Sequence, residues 1–132
     1  MSENLDLARR SFEAFNQRDF DAVESFYAPD AVLVGAEIGR FEGAAAIRGL
    51  YEDMTKPYAD PHGEIDEIID LGNGVVLTIL AVVGHPVGST SEVRLRYAAV
   101  AVLADGAVVQ QTNYMDPDEA RAAAERLAQE RR

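Results

Sequence analysis

Cysteine and tryptophan are both absent from the 132 residues. Without a thiol there are no disulfides, no thiolate nucleophile and no cysteine-ligated zinc or iron–sulfur centre. Positive charge is scarce: twelve Lys and Arg stand against twenty-three Asp and Glu, a formal charge of −11. A field of that sign repels phosphate, so no nucleic-acid partner is expected. Histidine is limited to His62 and His85. No His, Asp and Glu spacing matches a metal site, and no glycine-rich run forms a phosphate cradle, so no metal or cofactor is expected. Apolar runs fall short of the ~20 residues that span a bilayer. The acidic opening Ser2-Glu3-Asn4-Leu5-Asp6 does not read as a signal peptide. A soluble, cytoplasmic chain without a membrane partner is expected.

The residues that are present suffice for one core. At 48% hydrophobic and 27% charged the composition is that of a globular chain. A chain of this size buries about two-thirds of its unfolded surface, and residues 1–132 are expected to form a single domain. Leu5, Ala8, Phe12 and Phe15 predict a first helix, capped by Ser2 and closed by Asn16-Gln17-Arg18. Asp19 caps a second, with Phe20, Val23 and Phe26 or Tyr27 inward, which Pro29 is expected to stop. Ala31-Val32-Leu33-Val34 reads as a short strand, followed by irregular chain to Arg40. Gly43 opens a third helix that turns Ile47, Leu50, Tyr51 and Met54 inward and ends by Pro57.

Beyond Pro61 the period becomes two. Strands are expected at Glu64–Leu71, Val75–Val83, Val93–Leu103 and Val108–Met115, with turns at Gly72-Asn73-Gly74 and Ala104-Asp105-Gly106. Asp116-Pro117-Asp118-Glu119 starts a last helix toward Gln129, with Ala120, Ala123, Ala124 and Leu127 inward. The class is α+β: a curved antiparallel sheet wrapped around N-terminal helices as a cone with one mouth.

Three stretches carry a resemblance. They are Ala8 to Val23 (ARRSFEAFNQRDFDAV), Phe26-Tyr27-Ala28-Pro29-Asp30-Ala31-Val32, and Phe41-Glu42-Gly43-Ala44-Ala45-Ala46-Ile47. With Leu103 to Val109 and Tyr114-Met115-Asp116, they are similar to the SnoaL-like branch of the nuclear transport factor 2-like superfamily. The resemblance covers nearly the whole chain and implies the cone-shaped α+β barrel of that superfamily. It does not fix an activity, because the same cone hosts isomerases, epoxide hydrolases, dehydratases, polyketide cyclases and non-catalytic modules.

The resemblance also implies where catalytic groups would stand. The ketosteroid isomerase base, tyrosine and second acid fall on Gly35, Ser11 and Ala99, and none of these can do that work. The Asp–Arg–Asp set of limonene epoxide hydrolases falls on Thr78, Leu80 and Asn113, a hydroxyl, an alkyl group and an amide. Neither hydroxyl nor amide is a useful base near neutral pH. Asn113 does match an asparagine of scytalone dehydratase, whose pocket also uses histidines and tyrosines.

Strand alternation then defines a candidate lumen. An inward Asn113 brings Val109, Gln111 and Met115 with it; Tyr97 shares its face with Val93, Leu95, Ala99 and Ala101; Thr78 shares with Val76, Leu80 and Val82. Phe15, Tyr27, Tyr51, Thr78, Leu80, Gln111 and Met115 are the expected ligand-binding residues; His62, Tyr97 and Asn113 are the candidate catalytic ones. His62 is the best available general base, while His85, in a Gly/Pro-rich loop, reads as exposed. Asn113 and Gln111 read equally as ligand contacts or as groups that hydrogen-bond within a filled core or sit by buried water. Such a lumen suits a small hydrophobic molecule bearing a carbonyl or hydroxyl. Val75, Leu77, Ile79, Ala81 and Val83 would then point away from the cone, with Ala98, Val100 and Val102 beside them. Left in water, that face would be unusually large, and a homodimer through the sheets is expected to bury it. Three functional readings stay open: isomerase-, cyclase- or lyase-like chemistry in the cone, ligand binding without turnover, and protein docking.

Overall fold

A computed structural model describes residues 3–132, so the expected cap Ser2 lies outside the described residues. The chain runs α1 (Glu3–Asn16), α2 (Phe20–Ser25), β1 (Tyr27–Gly35), β2 (Gly39–Glu42), α3 (Ala44–Thr55), β3 (His62–Gly72), β4 (Val75–Gly84), β5 (Val93–Ala104), β6 (Ala107–Tyr114) and α4 (Pro117–Glu130). The strands form one curved, unclosed sheet in the order β2-β1-β6-β5-β4-β3. The architecture is the expected α+β cone. It differs in one pairing, since β1 and β6 run parallel while the other neighbours are antiparallel. Among the described residues no helix is long and apolar enough to cross a membrane.

Two boundaries depart from expectation. The second helix ends at Ser25, and Pro29 lies inside β1. Tyr27 already pairs with Val108, and the register slips between Tyr27 and Val32, so the proline without an N–H falls in the unpaired stretch. The segment before Gly43 is not irregular throughout: Gly39–Glu42 folds back on β1, Leu33 opposite Phe41. Its polar, glycine-led sequence carries no alternation, so the pairing is imposed by its neighbour. The two caps read from sequence are present, Asp19 accepting from the Ala22 N–H and Asp116 from the Asp118 N–H.

The concave face buries Phe15, Val23, Leu33, Ile47, Leu80 and Tyr97 between helices and sheet. The opposite face holds the main correction. Val75, Leu77, Ile79, Ala98 and Val100 pack against Ala120, Ala124 and Ala128 of α4, and all five are at most 3% exposed. Alanine at every fourth position gives the helix a smooth side that seats closely on the sheet. The apolar face that suggested a homodimer is therefore covered from within the chain and supplies no reason for a second copy. Beyond the helix the same face turns polar: Ala81 stands between Glu64 and Arg96, Val83 between His62 and Arg94. Ion pairs Arg94–Glu64 (2.8 Å) and Arg96–Asp66 (3.1 Å) bridge these strands.

Candidate functional site

A cavity of about 80 Å³ lies between α1 and the concave face of the sheet. β4 supplies Val76, Thr78, Leu80 and Val82, the alternation its sequence implies for an unbroken strand. Phe15, Tyr27, Tyr51, Tyr97 and Gln111 also reach it. Three expected residues do not line the cavity. His62 pairs with Val83, on the outward side of the sheet, where its ring meets Glu64 (Nε2 to Oε2, 3.3 Å) and its side chain is 46% exposed. Met115 follows the end of β6 and is 52% exposed. Asn113 is half-buried beside Gly35, off the chamber wall.

On β6 the alternation breaks. Val102 pairs with Gln110 and Leu103 with Val108, which leaves Val109 unopposed in a bulge. The extra residue reverses the faces on either side of it. Val108 and Gln111 therefore both line the chamber, and Val109 does not. Val93 and Leu95 keep the inward parity but are 39% and 42% exposed, outside the enclosed part.

The polar groups of the floor are engaged with one another. Tyr27 donates to Gln111 Oε1 at 2.8 Å, and its oxygen lies 2.8 Å from the Tyr51 hydroxyl. Gln111 Nε2 reaches the Tyr51 oxygen at 3.4 Å and Asn113 Oδ1 at 2.9 Å. With Tyr51 donating to Tyr27, the three side chains close a ring in which each hydroxyl gives one proton and accepts one. Asn113 and Gln111 hydrogen-bond within the protein, and one of their partners is each other. Ser11, at the isomerase tyrosine position, donates to the Ala8 carbonyl at 2.7 Å. Two hydroxyls differ. Thr78 Oγ1 and the Tyr97 hydroxyl make no hydrogen bond among the described residues, yet their side chains are at least nine-tenths buried and line the cavity. Neither oxygen is sealed in packing, and both residues line the cavity.

Among the described residues no carboxylate, imidazole, ammonium or guanidinium borders the chamber. Burial raises all three tyrosines above their ordinary range. The Tyr51 charge adds to this for Tyr27 and Tyr97, while for Tyr51 its hydrogen bonding with Tyr27 and Gln111 pulls the other way. The phenols stay protonated at neutral pH. They can donate hydrogen bonds but do not abstract protons.

The sequence reading missed the role of His85. Its Nδ1 lies 2.9 and 3.1 Å from the two Asp60 carboxylate oxygens, and its backbone N–H donates to the same group at 3.1 Å. Together with Ala59 N–H to His85 C=O (2.7 Å), this ties the segment after α3 to the end of β4. The His85 hydrogen bonds hold the Asp60 carboxyl below its usual range, and Arg94 with His62 does the same for Glu64. A lowered folded-state pKa contributes stability above the unfolded value, near pH 4, and loses it as the pH falls further. The wild type should therefore exceed Asp60→Asn in urea midpoint at pH 6, with the gap closing toward pH 3. A gap that stays constant would show that the carboxylate is not stabilised in the fold.

The SnoaL-like domain model matches residues 8–111. No curated protein sequence matches this chain. Solved structures do. A nuclear transport factor 2-like protein of unknown function from Burkholderia pseudomallei is 21% identical over 94% of this chain and 98% of its own, with a TM-score of 0.75. A hypothetical protein with a ketosteroid isomerase-like fold from Catenulispora acidiphila, in complex with trimethylamine, is 17% identical over 82% and 83%, TM-score 0.72. A protein assigned as a SnoaL-like polyketide cyclase from Shewanella putrefaciens is 14% identical over 96% and 98%, TM-score 0.71. At these identities the neighbours share the fold. The matched segment takes in most of α1, all of α2 and α3, five of the strands and most of the sixth, and ends before α4; on that match the chain belongs to the SnoaL-like domain family.

Proposed function

We propose that this chain binds a small, uncharged, chiefly apolar molecule inside its cone and holds one oxygen of it through Tyr97 and Thr78. The observation that carries this is a pair of accessible hydroxyls, on two buried residues of the cavity wall, without partners among the described residues. A ligand that displaced solvent from the cavity would leave them unpaired unless it paired them itself, and a ligand carbonyl or hydroxyl would do so. A charged ligand would meet no counter-ion there and would lose its hydration. The floor ring is already satisfied, so it shapes the chamber and leaves recognition to the two free hydroxyls. Donors without a base support binding over proton abstraction. A neighbour of the same fold holds trimethylamine, itself a very small molecule.

Calorimetry and thermal shift with 4-methylphenol and cyclohexanone test the reading. Binding raises the melting temperature by mass action. Tyr97→Phe removes one hydrogen bond of about 1 kcal/mol, so affinity should fall roughly fivefold. The unliganded variant should melt no lower than the wild type, because the lost hydroxyl had no protein partner. Neither compound binding, or Tyr97→Phe binding as tightly as the wild type, would refute the assignment.

A further inference from the structure

A second hollow lies just outside the first. It is an open cleft of about 440 Å³ between α1 and β3, floored by Ile65 and Ile68 and rimmed by Arg9, Glu13, Asp66 and Glu67. Ile65 pairs with Leu80 and Ile68 with Thr78, so both carry the parity of the chamber wall. They line the outer cleft instead, and Ile65 is 38% exposed, an apolar surface left facing the opening. Phe12 is an aromatic side chain that lines both hollows. It stands over Gly63, where an added Cβ would come within 3.2 Å of the ring. One turn later Asn16 clamps α1 to the same glycine, accepting its N–H at 2.6 Å and donating to its carbonyl at 3.2 Å. The Phe12 ring is half-buried and has no polar anchor of its own. The partition between chamber and cleft is thus one side chain on a helix held in place by a different residue.

Size makes the partition matter. An apolar cavity of about 150 Å³ holds benzene, and the chamber here has about 80 Å³. A ring-sized ligand must borrow volume, and the wall that borders further free space is Phe12. Building on the proposed binding in the cone, we infer that Phe12 is the specificity-determining partition, and that the ligand class is an elongated amphiphile. Its apolar head occupies the chamber, and its tail passes Phe12 into the α1–β3 cleft. The tail ends in a hydroxyl, which can both donate and accept. The rim offers both kinds of partner: the Glu13 carboxylate and the Arg9 guanidinium, neither in an ion pair among the described residues, and the N–H and C=O groups of the outer edge of β3, which pairs with no further strand there. Arg121 and Arg96 are engaged with Glu67 and Asp66.

Two probes sharing one head test this, 4-methylphenol and 4-(4-hydroxybutyl)phenol, titrated by calorimetry into the wild type, Phe12→Ala and Phe12→Trp. The ratio of long-probe to short-probe affinity should rise roughly tenfold in Phe12→Ala and fall below the wild-type value in Phe12→Trp. Using the ratio cancels any general loss of packing, and Phe12→Leu serves in place of alanine should that variant fail to fold. If neither 4-methylphenol nor cyclohexanone binds the wild type, the chamber reading and this inference both fail; if cyclohexanone binds and neither phenol does, this inference alone fails. If 4-methylphenol binds but the ratio is the same in all variants, the partition alone is refuted.

Discussion

Replacing Gln111 by glutamate is expected to cost about 3 kcal/mol at pH 7 and little at pH 4. The side chain is 6% exposed and nearly isosteric with its replacement. A protonated glutamic acid keeps an acceptor for the Tyr27 hydroxyl and one donor for Tyr51 or Asn113, so most of the ring survives. An ionised one has no donor, and among the described residues the chamber wall that would surround it holds no cation. Burial of this kind raises a carboxyl by up to ~3–5 pH units, and each unit is worth ~1.4 kcal/mol. The folded pKa then lies above the unfolded value near 4.3, so the native state holds the proton longer. Stability is retained below about pH 4 and lost as the pH climbs toward the folded value, beyond which the deficit is constant. Urea midpoints of wild type and Gln111→Glu, measured from pH 4 to 8, should diverge steadily. Parallel curves would mean that residue 111 is solvated in the folded chain and that the floor ring does not exist.

How much of this was legible depended on whether the controlling contact was local. Val76, Thr78, Leu80 and Val82 were placed correctly because β4 itself runs without an extra residue: it pairs with β5 from Val75 to Gly84 without a slip, and the bulges of its other pairing lie on β3. Val109 and Met115 were not. A bulge is decided by the partner strand, and nothing in the β6 sequence announces that Val109 will have no opposite residue. His62 failed for the same reason: its face follows from pairing with Val83, twenty-one positions away. The outer apolar face and the alanine line of α4 were each visible, but their complementarity is a property of tertiary packing. Taken separately, the face asked for an external partner. The floor ring joins Tyr27, Tyr51 and Gln111 across up to 84 positions, so sequence supplied the groups and left open whether a ligand or a neighbour satisfies them. The capped helix starts at Asp19 and Asp116 needed no such information, because cap and helix are adjacent.

The turn between β3 and β4 should give the other large effect, and a matched pair of glycines separates its causes. Gly72, Asn73 and Gly74 take φ values of +85°, +57° and +82°, the left-handed region where an added Cβ costs about 1–2 kcal/mol. Gly72→Ala should show that cost alone, since nothing lies within 4 Å of the new Cβ. At Gly74 the Cβ would stand 2.6 Å from the Leu103 carbonyl oxygen, a backbone atom that cannot rotate aside. Relieving that contact means moving the turn away from β5, against the hydrogen bond from Leu103 N–H to the Gly74 carbonyl at 2.7 Å. The same displacement pulls on α4, because Asn73 Nδ2 donates to the Ala128 carbonyl and Arg131 Nε to the Asn73 carbonyl. Adding one or two lost hydrogen bonds to the conformational cost gives about 3 kcal/mol for Gly74→Ala, or roughly 10 °C in melting temperature. Gly72→Ala should lose about a third to two-thirds of that. Because α4 covers the outer face of the sheet, amide exchange in Gly74→Ala should quicken at Val75, Leu77 and Val100 as well as in the turn. Equal losses at the two glycines would show that the turn is free of β5, and that α4 is held on the sheet by its alanine face alone.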